Sequence, residues 1–492
     1  MSQRWTDSGL LPINPPGTST EDSAQRTIGL DALRERVRAD LFSLRHPETP
    51  WMPELNGPDG RPMLDVLIVG AGQGGLAVGG LLQREQVNNI LLIDKAASGS
   101  EGVWNDFARM PVIRSPKHYP GPDMGVPNLT YEAWHRALFG DAKWDALAFV
   151  TIERWVEYLS WVRETLELPV RNETTLMAIN EAPGGLALTL RNASGKGEDE
   201  VVYSRRLVLA TGHDGTGSWW MPEFIAQLPE HLRAHAADPI DFSRLAGKKV
   251  AVVGVGASGG DNAICALEAG AESVHMFCRR DTHRRQQVYR WCITAGFMRH
   301  FRDLNDAWRW RFMQHVLNIR MGMPPETWKR VSSFGNFELH TNADWRGATA
   351  RGDKVEVDVA GELFEADFII AATGHDQNFA SRPELAPFAD KVMRWADRYQ
   401  PPAELVDERL SRYPYVGWNF ELLEREPGGA PFLNRIHDFT FGPTLSFGPS
   451  GCSISTLRLS APMLVAGVTR GLFTEDVETH WQSLLAHPNM IP

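Results

Sequence analysis

Two glycine-rich turns are the residues in this sequence best placed to do chemistry, and what they suit is holding a dinucleotide pyrophosphate. Asp65-Val-Leu-Ile-Val69 is a short branched apolar run, and Gly70-Ala-Gly-Gln-Gly-Gly75 follows it. In such a turn the first glycine, Gly70, permits the tight bend. The second, Gly72, lets backbone approach the phosphates, and the third, Gly75, lets helix and strand pack closely. The phosphates then meet free N–H groups at a helix N-terminus. The order returns in Lys249-Val-Ala-Val-Val253 and Gly254-Val-Gly-Ala-Ser-Gly259. Gly254, Gly256 and Gly259 take the glycine places there, with Ser258 before the last. Both turns follow a strand-like run and precede a helix-like stretch, as the mechanism requires.

The end of the following strand separates the two sites. In the first unit it is Asp94, 24 residues after Gly70. A carboxylate there accepts hydrogen bonds from ribose hydroxyls and repels a 2′-phosphate, which fits the adenosine ribose of FAD. The plainer reading is a surface-loop acid. In the second unit Ser273-Val-His-Met-Phe277 runs into Arg279 and Arg280, with Arg284 and Arg285 close by. Guanidinium forks match a phosphate, so NADPH is expected over NADH. A solvated basic turn is the alternative.

The elements that position these turns repeat as well. Leu207-Val-Leu-Ala-Thr-Gly-His-Asp214 closes the first unit and Ile369-Ile-Ala-Ala-Thr-Gly-His-Asp376 the second. Five residues, Ala-Thr-Gly-His-Asp, are identical, and they place Thr211 and Thr373 among the candidate cofactor residues. This repeat predicts two related dinucleotide-binding domains. The fold expected is α/β with two nested Rossmann-like domains. A split FAD domain occupies residues 63–213 and 374–492. A linker and NADPH domain with a helical insert, residues 214–373, lies between its halves. Residues 1–62 form an N-terminal extension. Its first 26 residues read as a disordered tail. Leu30, Leu33, Val37, Leu41 and Leu44 then recur at helical spacing until Pro47 and Pro50 end the helix.

Composition narrows the class. The chain has 492 residues and a net charge of -11, so a duplex-binding role is not expected. Arginines interleaved with Trp291, Trp308, Trp310 and Trp328 can serve single strands. A packed helix with Trp308, Phe312, Val316 and Ile319 on one face explains them better. The four cysteines form no C-x-x-C pair, which predicts a reducing, cytoplasmic setting and excludes a disulfide reductase. No apolar stretch reaches a membrane span. No residues are assigned to a metal, and a homo-oligomer is left open.

Gly102-Val-Trp104 follows Asp94, and Tyr158-Leu-Ser-Trp161 lies further on. With both glycine turns, both Ala-Thr-Gly motifs and the stretch Gly448 to Leu457, the chain resembles the flavin-containing monooxygenase superfamily over residues 64 to 470. That superfamily includes FAD- and NADPH-dependent N-hydroxylases, Baeyer-Villiger enzymes and some bacterial FAD-dependent urate hydroxylases. The resemblance implies that NADPH reduces FAD, that reduced flavin and O2 give a C4a-hydroperoxyflavin, and that one oxygen enters a small nitrogenous or electron-rich substrate. It places Trp104 close to the flavin. It also places Arg114-Ser-Pro-Lys-His118 beside the flavin, so Arg114, Ser115, Lys117 and His118 are candidate catalytic residues. The three cations there could hold an anion such as urate, or stabilise a flavin peroxide; a solvated basic loop is the alternative. The superfamily's linker pattern Phe-x-Gly-x-x-x-His is broken, with Pro229 and His231 replacing Phe and Gly before His235. Two other functions fit the glycine motifs: a reductase or oxidase without oxygen transfer, and an inactive nucleotide-binding sensor.

Overall fold

The computed structural model describes residues 20–195, 197–283, 286–319, 322–449 and 453–487. Arg284, Arg285, Cys452 and residues 1–19 of the expected tail lie outside the described residues. The chain builds two Rossmann-like parallel sheets. The first has the order Val170–Arg171, Ile90–Ile93, Leu64–Val69, Glu200–Leu209, with Ile436–Asp438 also paired to Glu200–Leu209. These five strands are mutually parallel. Thr174–Ala182 and Gly185–Asn192 extend the sheet antiparallel from the first half of Glu200–Leu209. Parallel strands are covered on both faces and read as continuous apolar runs. Val66, Leu67 and Ile68 are fully buried accordingly.

The second sheet is wholly parallel, in the order Phe337–His340, Ser273–Phe277, Lys249–Val253, Phe368–Ala371, Arg233–His235. An antiparallel meander, Trp345–Arg351, Lys354–Val359 and Glu362–Ala366, precedes its return strand. The chain passes between the sheets twice, and the passages pair as a two-stranded ribbon, Gly217–Trp219 against His375–Gln377. The first passage strand follows one copy of the Ala-Thr-Gly-His-Asp repeat, and the second begins within the other copy, at His375. The last strand of the first sheet comes from residues after the second passage, so the two folds are nested.

Helix Thr20–Ser43 carries the N-terminal pattern onto the main body. It begins inside the segment read as a disordered tail, six residues before that segment's expected end. Leu33 and Val37 are fully buried, with Leu30 and Leu41 packed beside them. Leu44 lies past the last turn and is exposed, a correction to the expected apolar stripe. Helix Leu457–Glu475 packs on the glycine-turn helix Gln73–Arg84. Its end is tied to the sheet by the buried Arg205, which pairs with Asp476 at 2.8 Å and Glu475 at 3.3 Å. Among the described residues no helix is long and apolar enough to cross a membrane.

The insert comprises the helices Tyr289–Cys292, Ala295–His300, Asp306–Ile319 and Pro325–Val331, of which Asp306–Ile319 is the longest. Its inner face is Trp310, Met313, Val316 and Leu317. Trp308 is exposed, so the expected face Trp308–Phe312–Val316–Ile319 is turned from the true one. Both sets satisfy i, i+3, i+4 spacing, and the facing residues Trp395, Leu410 and Leu445 decide between them.

Candidate active site

Gly70 adopts φ +101°, and a side chain there would collide with the Ala210 carbonyl. A Cβ on Gly75 would collide with the carbonyl oxygen of Gly70, so strand and helix touch through these glycines. Gly72 opens helix Gln73–Arg84 with no side-chain cap. Helices Tyr131–Phe139 and Ile152–Thr165 are capped by Thr130 and Thr151. The glycine turn therefore leaves its first-turn N–H groups for a ligand. Gly72 also faces Gly102, whose Cα would lie 3.3 Å from an added Cβ. Beyond it Trp104 is half-buried and packs edge-on against Trp155.

Asp94 is buried, and its carboxylate accepts N–H bonds from Ala71 at 2.8 Å and Ala96 at 2.9 Å. Burial raises its pKa, against the pull of those two donors. Asp94 thus braces the glycine turn itself. Two further polar groups stand at the carboxyl ends of neighbouring strands. Thr211 Oγ1 and Asp438 Oδ2 are buried without a hydrogen-bond partner among the described residues. Asp438 is paired in register with Leu209, two residues before Thr211. Its other oxygen accepts from the Thr440 amide at 3.0 Å and hydroxyl at 2.6 Å. Burial pushes the Asp438 carboxyl up to about 7. Buried polar groups rarely go unpaired, and the strand ends of an open α/β sheet are where ligands bind. An uncapped helix, a side-chain-free cradle and two waiting oxygens fit the pyrophosphate and ribityl hydroxyls of FAD.

The second turn repeats this geometry. Gly254 is at φ +108°, Gly256 opens helix Ala257–Glu268 without a side-chain cap, and Gly259 packs on the Gly254 carbonyl. Ser258 and Arg279 are exposed, and Arg280 is half-buried with Nη2 donating to the Asn318 carbonyl at 3.4 Å. This open, basic strand end fits NADPH. The repeated threonines differ: Thr373 donates to the Trp220 carbonyl, whereas Thr211 is unpartnered.

At the double passage, His213 and His375 from the two repeats meet edge to face, with ring centroids 4.3 Å apart. His235 lies beside them, stacked on Trp219 at 5.3 Å. Its Nδ1 accepts from Ala237 at 3.1 Å, so Nε2 carries the proton that bonds the Gly374 carbonyl at 3.1 Å. His235 ties the strand Arg233–His235 to the second passage despite the broken linker pattern. Thr216 donates to Gln377 at 2.6 Å and lies 3.4 Å from Thr440, which joins both passages to Asp438.

The cations expected to face an anion are placed differently. Arg114 grips Asp261 with Nη2, at 2.6 Å to Oδ1 and with Oδ2 also in contact. Asp261 is buried on the second glycine-turn helix, so the pair joins the two nucleotide-binding units. Burial raises the Asp261 pKa while Arg114 pulls it down. Lys117 donates to the Trp144 carbonyl at 2.6 Å, closing the C-terminal end of helix Asp141–Ala146. His118 is exposed and edge-on to Trp144, and Ser115 is half-buried. Arg114 and Lys117 are thus each engaged by protein. The sequence reading missed Asp261, whose signal was an acid one turn into a phosphate-binding helix. It also missed Asp438, for which no local signal existed.

The insert closes over the C-terminal segment. Phe297 and Phe301 lie 3.3 and 3.4 Å from where a Cβ on Gly448 would be. A shallow recess lies nearby, lined by Met298, Phe420, Phe447, Thr456, Ser460 and Met463.

Comparison with known proteins agrees with this geometry. Residues 67–320 match the pyridine nucleotide-disulphide oxidoreductase family. The chain is 37% identical, over 94% of its own length and 96% of the other, to the FAD-dependent urate hydroxylase of Xanthomonas campestris pv. campestris. Its fold is similar to that of ornithine hydroxylase from Pseudomonas aeruginosa, with a TM-score of 0.64, 18% identity and coverage of 83% of this chain and 100% of that one. L-lysine 6-monooxygenase from Pseudomonas syringae gives a TM-score of 0.63 at 16% identity, covering 83% and 99%. With two nested dinucleotide folds and no pair among its described cysteines, the chain belongs to the pyridine nucleotide-disulphide oxidoreductase family as one of its FAD- and NADPH-dependent monooxygenases.

Proposed function

We propose that this monooxygenase hydroxylates urate or a closely related anionic purine. The observation that carries the reading is the similarity to the urate hydroxylase over nearly the whole of both chains. Bound flavin supplies oxygen activation and bound nicotinamide supplies the hydride. The protein's part is to hold, orient and shield. Gly70, Gly72, Gly75, Asp94, Trp104 and Thr211 hold FAD, with Asp438 completing the ribityl contacts. Gly254, Gly256, Ser258, Gly259, Arg279 and Arg280 hold NADPH, and Thr373 fixes the passage through Trp220 rather than touching the cofactor.

Arg114 is a positioning residue in this reading. Its bond to Asp261 sets the FAD unit against the NADPH unit, and hydride transfer demands such alignment. Lys117 positions the loop through Trp144, and Ser115 and His118 stand on that same loop. The insert and Gly448 exclude water from the reacting face. The boundaries that go with this reading are 63–213 and 374–492 for the FAD unit and 214–373 for the NADPH unit. The setting is the cytoplasm, in keeping with four cysteines and no C-x-x-C pair. The partners are a small molecule and O2, not nucleic acid, given the net charge of -11.

The test is NADPH consumption by the holoenzyme against a panel of purines, amines, ketones and sulfides. Urate or a near analogue should stimulate turnover most. Stimulation by an amine or a ketone, with purines silent, would overturn the substrate assignment.

A further inference from the structure

Outside the glycine turns, three side chains converge on the second sheet. His275 lies on Ser273–Phe277, and Glu338 and His340 lie on the edge strand Phe337–His340, which is its parallel neighbour. His275 Nδ1 is 3.0 Å from His340 Nε2 and 3.4 Å from Glu338 Oε2, and His340 Nε2 is 3.8 Å from Glu338 Oε1. A zinc ion bound tetrahedrally at its usual bond lengths separates its ligands by about 3.3 Å. The two shorter spacings lie close to that edge, the His340–Glu338 one is longer and runs to the other carboxylate oxygen, and the three donors all lie within 4.8 Å of one another, so small side-chain rotations bring them to three corners of a tetrahedron.

The surroundings hold the ligands in place. His275 Nε2 is 3.1 Å from Ser273 Oγ, which leaves Nδ1 to face the cluster. Such an outer partner is what orients a metal-binding imidazole. Phe277 stacks on His340 at 4.7 Å, and Phe364 stands edge-on to both histidines. Both imidazoles are largely covered, with side chains 14% and 28% exposed, while Glu338 is 62% exposed. Solvent therefore reaches the site from the glutamate side, where a fourth ligand would enter. Lys249 is the opposing charge, its Nζ 4.1 Å from the Phe364 ring.

We infer that His275, Glu338 and His340 form a site for a borderline-soft divalent cation such as Zn²⁺, clipping the edge strand of the NADPH sheet to its neighbour. Without metal, the rings lie edge to edge, 23° from coplanar with centroids 5.3 Å apart, and share one N–H···N hydrogen bond. Metal entry shifts that proton to the other nitrogen of its ring, His340 Nδ1, and turns both facing lone pairs onto the ion. Two imidazoles and a carboxylate are a ligand set that zinc accepts, with water in the open position.

The experiment is a calorimetric titration of untagged, EDTA-treated holoenzyme with ZnCl₂ near neutral pH. One equivalent should bind. His275→Gln and His340→Gln should each weaken binding by at least about tenfold, and Ser273→Ala by about tenfold. Zinc should raise the unfolding temperature of the wild type and not of His340→Gln. Glu338→Gln, on the exposed rim, tests the same ligand set if a histidine variant fails to fold. Absence of stoichiometric binding, or binding unaltered by all three ligand substitutions, overturns the site.

Discussion

Replacing Arg114 by alanine tests how the two nucleotide-binding units are held together. Asp261 is 6% exposed, and the pair's side chains are 26% and 7% exposed. Removing the arginine leaves a buried carboxylate without its bonded counter-charge, with only Thr327 and the more distant Arg330 to favour the ion. Breaking a buried pair from one side costs about 3–5 kcal/mol, and the partial exposure of Arg114 puts this case near about 3 kcal/mol. Removing both partners takes the stranded charge away. Arg114→Ala/Asp261→Ala should therefore be more stable than Arg114→Ala alone. The pH dependence has a definite sign. Without Arg114, burial raises the Asp261 pKa further above its unfolded value. The deficit is then largest above the folded pKa and shrinks as pH falls towards the unfolded one. The assay is thermal unfolding of the holoenzyme across pH, read by flavin release and circular dichroism, for wild type, both single variants and the double variant. An Arg114→Ala protein as stable as wild type, or a double variant worse than either single one, refutes the reasoning. A raised KM for substrate with unchanged stability would return Arg114 to anion binding.

Three further outcomes follow from the same geometry. Gly75→Ala places a methyl against the Gly70 carbonyl, so the purified protein should be colourless and fail to take up FAD, as read by flavin absorbance. Arg279→Ala/Arg280→Ala should remove most of the preference for NADPH over NADH in flavin reduction, since a charge-assisted bond is worth about 1.5–3 kcal/mol. Equal use of both cofactors by the wild type would reduce the arginines to a surface turn. Asp438, raised from 3.8 to about 7, disfavours the folded state increasingly as pH rises through that window. Asp438→Asn should therefore flatten the fall in unfolding temperature between those pH values, and an unchanged slope would show that the carboxyl is not buried as described.

The glycine turns were legible because their chemistry is local. A strand, a turn, a helix and a second strand within about 30 residues specify Gly70, Gly72, Gly75 and Asp94 wherever they fold. The repeated Ala-Thr-Gly-His-Asp motif was legible as a duplication, but not the different uses of its threonines. Thr211 is left open and Thr373 is bound to Trp220, a contact set by the second passage of the chain. Arg114 read as a free cation because its partner lies 147 residues away on another helix. The face of Asp306–Ile319 was misread for a similar reason. Helical periodicity restricts the choice to two faces, and only Trp395, Leu410 and Leu445, distant in sequence, select one.

The central claim is that one atom of O2 enters a purine at the expense of NADPH, and an isotope experiment tests it most directly. Holoenzyme is supplied with urate, NADPH and ¹⁸O-labelled O2, and the product is analysed by mass spectrometry alongside hydrogen peroxide and NADPH consumed. The account predicts one labelled oxygen per product molecule, one NADPH per product, and little peroxide. Unlabelled urate recovered unchanged, with the NADPH equivalents appearing as hydrogen peroxide, would contradict it.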